Sequence, residues 1–263
     1  MNPTEQRMRM VARQLAGRDI TDARVLAAFR AVPREQFVPD ELLECAYEDT
    51  PLPIDGGQTL SQPFIVALSV QALGLTGDER VLEVGTGSGY AAAILGLVAR
   101  EVYTIERLAP LAASARERLQ RLGYHNIHIL HGDGTLGCPE HAPYDAIVVA
   151  AGGPEVPQSL LDQLAPGGRL VMPVGPEEHS QMLVKMTRED GAGLRTCALC
   201  AVRFVPLIGE EGWSEAAPEH QRKVVARAPA RPVTASAPGL LRPGRARPRG
   251  SRRRRGQSPR RCS

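Results

Sequence analysis

No run of about 18 apolar residues occurs in the 263-residue chain, so no segment is suited to cross a bilayer as a helix. Arg7, Arg9 and Arg13 stand near the N-terminus, but no apolar stretch follows them as a secretory signal requires. Cysteines number five, an odd count, and are scattered at Cys45, Cys138, Cys197, Cys200 and Cys262. That spacing argues against a disulfide framework and for a reducing, cytoplasmic setting. Histidine is absent before His125, so chemistry placed in the first half of the chain has no imidazole base to use. No internal repeat is visible.

What is present divides sharply by charge. Residues 214–263 carry 14 basic and two acidic side chains, against 18 and 27 in residues 1–213. The net charge of +3 therefore conceals an acidic globular part and a basic tail. The tail is rich in proline, holds Arg252 to Arg255 in a row, and has few large apolar residues. Such a segment cannot offset its ordering entropy, so residues 214–263 are expected to be disordered. Its arginines offer phosphate contacts and weak polyanion binding, without aromatic residues for base stacking. The alternative is a merely soluble extension.

Residues 1–213 read as one folded domain. Thr21 or Asp22 is placed to cap a helix with Val25, Leu26, Phe29 and Val32 on its apolar face, and Pro33 stops it. Residues 50–62 read as a Pro- and Gly-rich loop. Pro63 suits the first position of a helix carrying Phe64, Ile65, Leu68 and Leu73. From residue 80, short apolar strands alternate with helices. The strands fall at Val81–Val84, Val102–Ile105, Ile127–Leu130, Ala146–Ala150 and Leu170–Val174. Continuous apolar strands between helices imply a parallel sheet covered on both faces. Met182–Met186 and Cys197–Val205 are strand-like with no room for an intervening helix, so they must be antiparallel. The fold class is α/β: a doubly wound, Rossmann-like sheet with a C-terminal antiparallel hairpin and an N-terminal helical segment, a pattern that resembles the class I methyltransferases.

Three features point to a nucleoside-containing ligand. Gly85-Thr86-Gly87-Ser88-Gly89 follows a buried strand, and its missing Cβ atoms allow a tight turn and close backbone approach. A dinucleotide fingerprint needs a glycine at position 90, which is Tyr90. Glu106 ends the second strand, where a carboxylate can accept both hydroxyls of a ribose. Asp133-Gly134 ends the third, with Asp133 as an acceptor for an adenine amino group. Each has a plain structural alternative, respectively a packing turn, a solvated helix-start glutamate and a capping aspartate. All three lie at carboxyl ends of parallel strands, where open α/β sheets bind ligands.

Several runs now resemble a known family. These are Val32-Pro33-Arg34-Glu35-Gln36-Phe37-Val38-Pro39, Leu52-Pro53-Ile54, Gly57 to Pro63, Val81 to Tyr90, Gly132-Asp133-Gly134, Pro173-Val174-Gly175 and Arg203 to Leu207. They are similar to the protein-L-isoaspartate (D-aspartate) O-methyltransferases over about residues 7–209. The resemblance implies S-adenosylmethionine as methyl donor, and isoaspartyl-containing proteins and peptides as acceptors. Methylation of the isoaspartyl α-carboxylate would open repair through a succinimide. It also implies Ser61 as the active-site serine and Thr59 and Leu60 in the segment covering the cofactor. Glu83, Gly85, Thr86, Gly87, Gly89, Glu106, Asp133 and Gly134 match cofactor contacts. Ala150-Ala151-Gly152-Gly153-Pro154 departs from the family, which more often has Thr-Ala-Ala-Pro there.

The chemistry fits independently, because a carboxylate nucleophile is ionised at neutral pH and needs no base. The start of the helix at Pro63 is expected to receive the substrate carboxylate, with the Ser61 hydroxyl donating one hydrogen bond. A monomer is expected. Other readings are a methyltransferase acting on RNA or a small molecule, and a non-enzymatic polyanion binder on the same fold. No metal is expected. Cys197 and Cys200 sit three apart on a strand and point to opposite faces, and His128 faces away from His125 and His131.

Overall fold

The structure, a computed structural model, describes residues 1–177, 180–189 and 193–215. The basic segment beyond Glu215, with the disorder expected of it, lies outside the described residues. Helix α1 (Pro3–Met10) opens on a reciprocal capping box between Asn2 and Glu5. Helix α2 (Ala23–Ala31) is capped by Asp22, whose carboxylate accepts the N–H groups of Arg24 and Val25 at 2.8 and 3.2 Å. It ends because Val32, preceding Pro33, is forced into extended conformation.

The stretch expected as a loop before Pro63 contains a small hairpin. Strands β1 (Leu52–Ile54) and β2 (Gln58–Leu60) pair antiparallel in a two-stranded sheet of their own. Strands of three residues are too short to show alternation in sequence, which is why the pattern hid them. Helix α3 (Pro63–Leu73) starts at the expected proline and closes on Gly74 in left-handed conformation.

The doubly wound part follows as β3 (Arg80–Val84), α4 (Tyr90–Val98), β4 (Glu101–Glu106), α5 (Ala109–Arg121), β5 (Ile127–His131) and β6 (Tyr144–Val149). A short α6 (Gln158–Asp162), which the sequence pattern did not announce, precedes β7 (Leu164–Glu177), β8 (Ser180–Glu189) and β9 (Gly193–Val202). The seven strands lie in the order β5-β4-β3-β6-β7-β8-β9. The first five run parallel, while β8 is antiparallel to both β7 and β9. The expected parallel sheet with an antiparallel end is thus the observed one.

Alternation along β3 divides the core. Val81 faces a cluster with Phe29, Tyr90 and Ile94, while Leu82 and Val84 face another with Ile147, Leu170 and Met172. The sheet is buried on both faces, so its strand tips are the open ground for a site. Among the described residues, no helix is long and apolar enough to cross a membrane.

Leu82 is fully buried and Leu97, on α4, is 49% exposed. Leu82→Ala is expected to cost about 2–5 kcal/mol in denaturant unfolding. Leu97→Ala should stay within about 0.5 kcal/mol.

Candidate active site

The tips of β3, β4 and β6 meet at a cleft enclosing about 770 Å³, its open mouth included. Thr59, Leu60, Ser61, Gly85, Thr86, Gly87, Glu106 and Gly134 all line it. The glycine loop is shaped by backbone need: Gly85, Gly87 and Gly89 have φ of 96°, 53° and 90°, a region L side chains rarely adopt. Glu106 is 5% exposed and holds this loop open. One of its oxygens accepts the N–H of Gly87 at 2.8 Å and the other accepts the N–H of Leu108 at 3.0 Å. Each oxygen keeps a lone pair for a further donor. This is a fixed acceptor pair in the cleft wall, not a solvated side chain.

Three sequence candidates lie off this wall. Gly89 is the residue that starts α4, and a Cβ there would come within 3.2 Å of Leu119 on α5. Asp133 also has partners within the fold. One oxygen accepts the N–H and hydroxyl of Thr135 at 2.8 and 2.7 Å, and the other accepts the N–H of Glu210 at 2.7 Å. Its carboxylate thus ties the 209–211 segment to the end of β5, while its neighbour Gly134 reaches the cleft. Gly134 must be glycine because a Cβ would approach Val84 to 2.4 Å.

Glu83 lines a smaller cavity beyond the cleft, reached past Ser61, Val66, Ala91 and Ala150. It is 1% exposed, on the sheet face that packs against α3 and α4. Burial drives its carboxyl up to about 8, with the charge of Glu106 adding and the Thr104 hydroxyl opposing. Thr104 donates to Glu83 at 2.5 Å and stands 2.6 Å from the Thr86 hydroxyl, so a hydroxyl chain joins Glu83 to the glycine loop. The other Glu83 oxygen has no hydrogen-bond partner among the described residues. A neutral acid tolerates that position; a charged one does not.

Ser61 precedes α3, half-buried, and lines the main cleft, the Glu83 cavity and a second, wider cleft. The second cleft runs along Pro51, Gln58, Gln62 and the 201–206 segment. The backbone carbonyl of Ser61 is held by Arg34 at 3.0 Å, while its hydroxyl makes no hydrogen bond among the described residues. Ser61 therefore does not cap α3. At the start of that helix, where a substrate carboxylate is expected, the protein places a carboxylate of its own against one of the N–H groups. Asp49 accepts the Phe64 N–H at 3.0 Å and the Gln62 side chain at 2.8 Å, and pairs with Arg18.

Arg107 and Arg203 are the cations of the second cleft, and Arg107 borders both clefts. The described histidines stand elsewhere. His128 pairs with Glu101 at 3.2 Å and stacks on Tyr103, and none lines either cleft. Among the described residues, no group of three or more His, Cys, Asp or Glu is arranged to hold a metal ion.

Comparison with known proteins agrees with this arrangement. The family model described as protein-L-isoaspartate(D-aspartate) O-methyltransferase matches residues 5–212. The chain belongs to this family. It is 58% identical over 212 residues to protein-L-isoaspartate O-methyltransferase 2 of Pelobacter propionicus, covering 81% of this chain and 94% of that one. Identity to the Methanoculleus marisnigri protein-L-isoaspartate O-methyltransferase is 54%, over 79% of this chain and 94% of the relative. A solved protein-L-isoaspartate O-methyltransferase superposes with a TM-score of 0.70 at 32% identity, covering 78% of this chain and 66% of its own length. Another, from Plasmodium falciparum and solved with S-adenosyl-L-homocysteine, gives 0.66 at 27% identity, with 79% and 99% covered.

The one departure from the family pattern has a packing reason. A Cβ at Gly152 would meet the Gln181 amide at 2.4 Å, and one at Gly153 would meet Met172 at 2.5 Å. Gln181 uses that space to accept the Phe204 N–H at 2.8 Å. Gly152 itself accepts from Leu207 N–H at 2.8 Å and from the Trp213 indole at 2.9 Å. The two glycines thus let the 203–213 segment close over the cleft in this methyltransferase. Sequence reasoning also missed Arg34, quoted only as part of a motif, because nothing local shows what a buried guanidinium reaches.

Below about pH 4.5, the ordinary value, Glu83 is protonated whether the chain is folded or not. As pH rises toward about 8 the unfolded chain loses that proton first, so the native state loses stability relative to it. Glu83→Gln is therefore expected to gain melting temperature over the parent progressively across that window. A pH-independent offset would mean the buried acid is charged throughout.

Proposed function

We propose that the chain transfers a methyl group from S-adenosylmethionine to the α-carboxylate of isoaspartyl residues in damaged proteins and peptides. The observation that carries this is the Ser61 hydroxyl, uncommitted at the junction of two clefts. One cleft has a glycine loop and a fixed acceptor pair, as an adenosyl group requires. The other is wider and open, with Gln58, Gln62, Arg203 and the Arg107–Glu215 pair on its walls, as a polar peptide requires.

S-adenosylmethionine supplies, when bound, a methyl group activated by its sulfonium. Glu106 offers its remaining lone pairs to the ribose hydroxyls, and the backbone of Gly85, Thr86 and Gly87 gives the close approach. Thr59 and Leu60 cover the same cleft from β2, and Gly134 leaves room at its far wall. Protein dipoles and hydrogen bonds, not a base, are the chain's contribution, since the acceptor carboxylate is already ionised. Ser61 donates to one oxygen of that carboxylate and so orients the other for attack. Arg203 offers the second cleft a cation for an anionic acceptor, while Arg107 on the same wall is paired with Glu215 at 3.1 Å. In the resulting methyl ester the methoxy group leaves more readily than an oxide would, so the neighbouring amide nitrogen, losing its proton, attacks the ester carbonyl and expels methanol to close a succinimide, and hydrolysis can open that ring to a normal aspartyl bond. The cytoplasm is the compartment where five scattered cysteines fit such a repair enzyme.

Labelled methyl groups should enter an isoaspartyl peptide and not its aspartyl twin. Equal labelling of both, or entry into RNA alone, would sink the reading. Ser61→Ala is expected to lower kcat by about tenfold or more, near 1.4 kcal/mol, with binding of S-adenosylhomocysteine unchanged. Glu106→Gln replaces an acceptor by a donor, and calorimetry should show at least about tenfold weaker binding of that product.

A further inference from the structure

Arg34 is a fully buried cation, and among the described residues no carboxylate lies within ion-pair distance of it. Its Nε donates to the carbonyl of Ala46 at 2.8 Å, and Nη2 donates to the carbonyl of Ser61 at 3.0 Å. The guanidinium lies over the Tyr90 ring, 4.7 Å from its centroid, and among the described residues Nη1 has no hydrogen-bond partner. Tyr90 begins α4 directly after the glycine loop and lines the cofactor cleft. The ring is held edge-on by Phe29 and Phe37, at 6.0 and 5.5 Å.

Two carbonyls and a π face return only part of the solvation a buried guanidinium gives up. An apolar side chain of similar shape would serve the core at lower cost, as with buried ion pairs generally. The charge therefore answers a positional need. Fixing the Ser61 carbonyl fixes the ψ angle of that residue. Three residues on, Asp49 fixes the Phe64 N–H. The backbone is thus clamped by a cation on one side and an anion on the other, while the Ser61 hydroxyl between them stays uncommitted.

We propose that Arg34 is a positioning residue for the reaction, aiming the Ser61 hydroxyl by gripping its carbonyl and referring it to Tyr90 and the cofactor cleft. The proposal rests on the role given to Ser61 above. A planar fork is required because its two donors and its face act at once in different directions. A lysine ammonium is a point charge and cannot reproduce that set.

The test is a double-mutant cycle on the full chain, with Arg34→Lys and, as a second variant, Arg34→Met, each in the parent and Ser61→Ala backgrounds. Readouts are kcat and KM for an isoaspartyl peptide, Kd for S-adenosylhomocysteine, and Tm. In the parent, Arg34→Lys is expected to lower kcat about 10- to 100-fold while KM and Kd move less than about threefold. In the Ser61→Ala background the same change should cost less than about threefold more, because the group it aims is gone. An equal loss in both backgrounds would overturn the proposal, as would unchanged kcat in Arg34→Lys or failure of both variants to fold. Full turnover by Ser61→Ala alone, with a large loss in Arg34→Lys, would instead strike at the role of Ser61.

Discussion

A carboxylate at the tip of β4 holds the site in shape. Glu106 accepts one N–H from the glycine loop after β3 and one from the start of α5, so it joins two strand ends through its own two oxygens. Gly85 and Thr86 donate to the carbonyl of Ile105 and Gly89 donates to that of Thr86, which leaves the Gly87 N–H to be taken by the Glu106 side chain. With the loop fixed, α4 begins at a fixed place, Tyr90 stands against Arg34, and the cleft has a floor. Without that acceptor, the buried N–H of Gly87 would have to find water inside the cleft.

Two glutamates 23 positions apart in the chain are set to different tasks by their surroundings. Glu106 has backbone donors on each oxygen, whereas Glu83, deep against α3 and α4, has one threonine hydroxyl and an orphaned oxygen. Burial without donors favours the neutral acid, and the negative neighbour reinforces it. The hydroxyl chain through Thr104 and Thr86 transmits the position of that acid to the same loop. Burying Glu83 costs little while it keeps its proton, so the protein holds a polar group beside the reaction cavity without a buried charge.

The C-terminal segment after β9 completes the enclosure by hydrogen bonds to distant groups. Gln181 holds Phe204, Gly152 holds Leu207 and Trp213, and Asp133 holds Glu210. Ser159, on α6, is gripped by Glu211. The segment contributes Val205 to Ile208 to the cleft wall and Ala201 to Pro206 to the peptide side. One stretch of chain therefore shapes the walls of both clefts.

Local pattern carried the sheet, the glycine loop and the acid at the tip of β4. Buried parallel strands must be apolar along their length, and a tight turn beside a ligand must dispense with Cβ atoms. Those demands act on adjacent residues, so Val81 to Gly89 and Glu106 could be read directly, as could Pro63 as a helix start. Other assignments depended on partners far along the chain. Asp133 could be read as an acceptor at a strand tip, but the hold of its carboxylate on Glu210, 77 positions away, could not. The start of α3 has free N–H groups by rule, yet Asp49 reaches one of them from 15 positions earlier. Arg34 stands in the sequence only as one member of a family run, and folding alone brings it to the carbonyl of Ser61. A polar side chain satisfies whichever donor or acceptor the packed fold delivers, and only the tertiary structure decides which one that is.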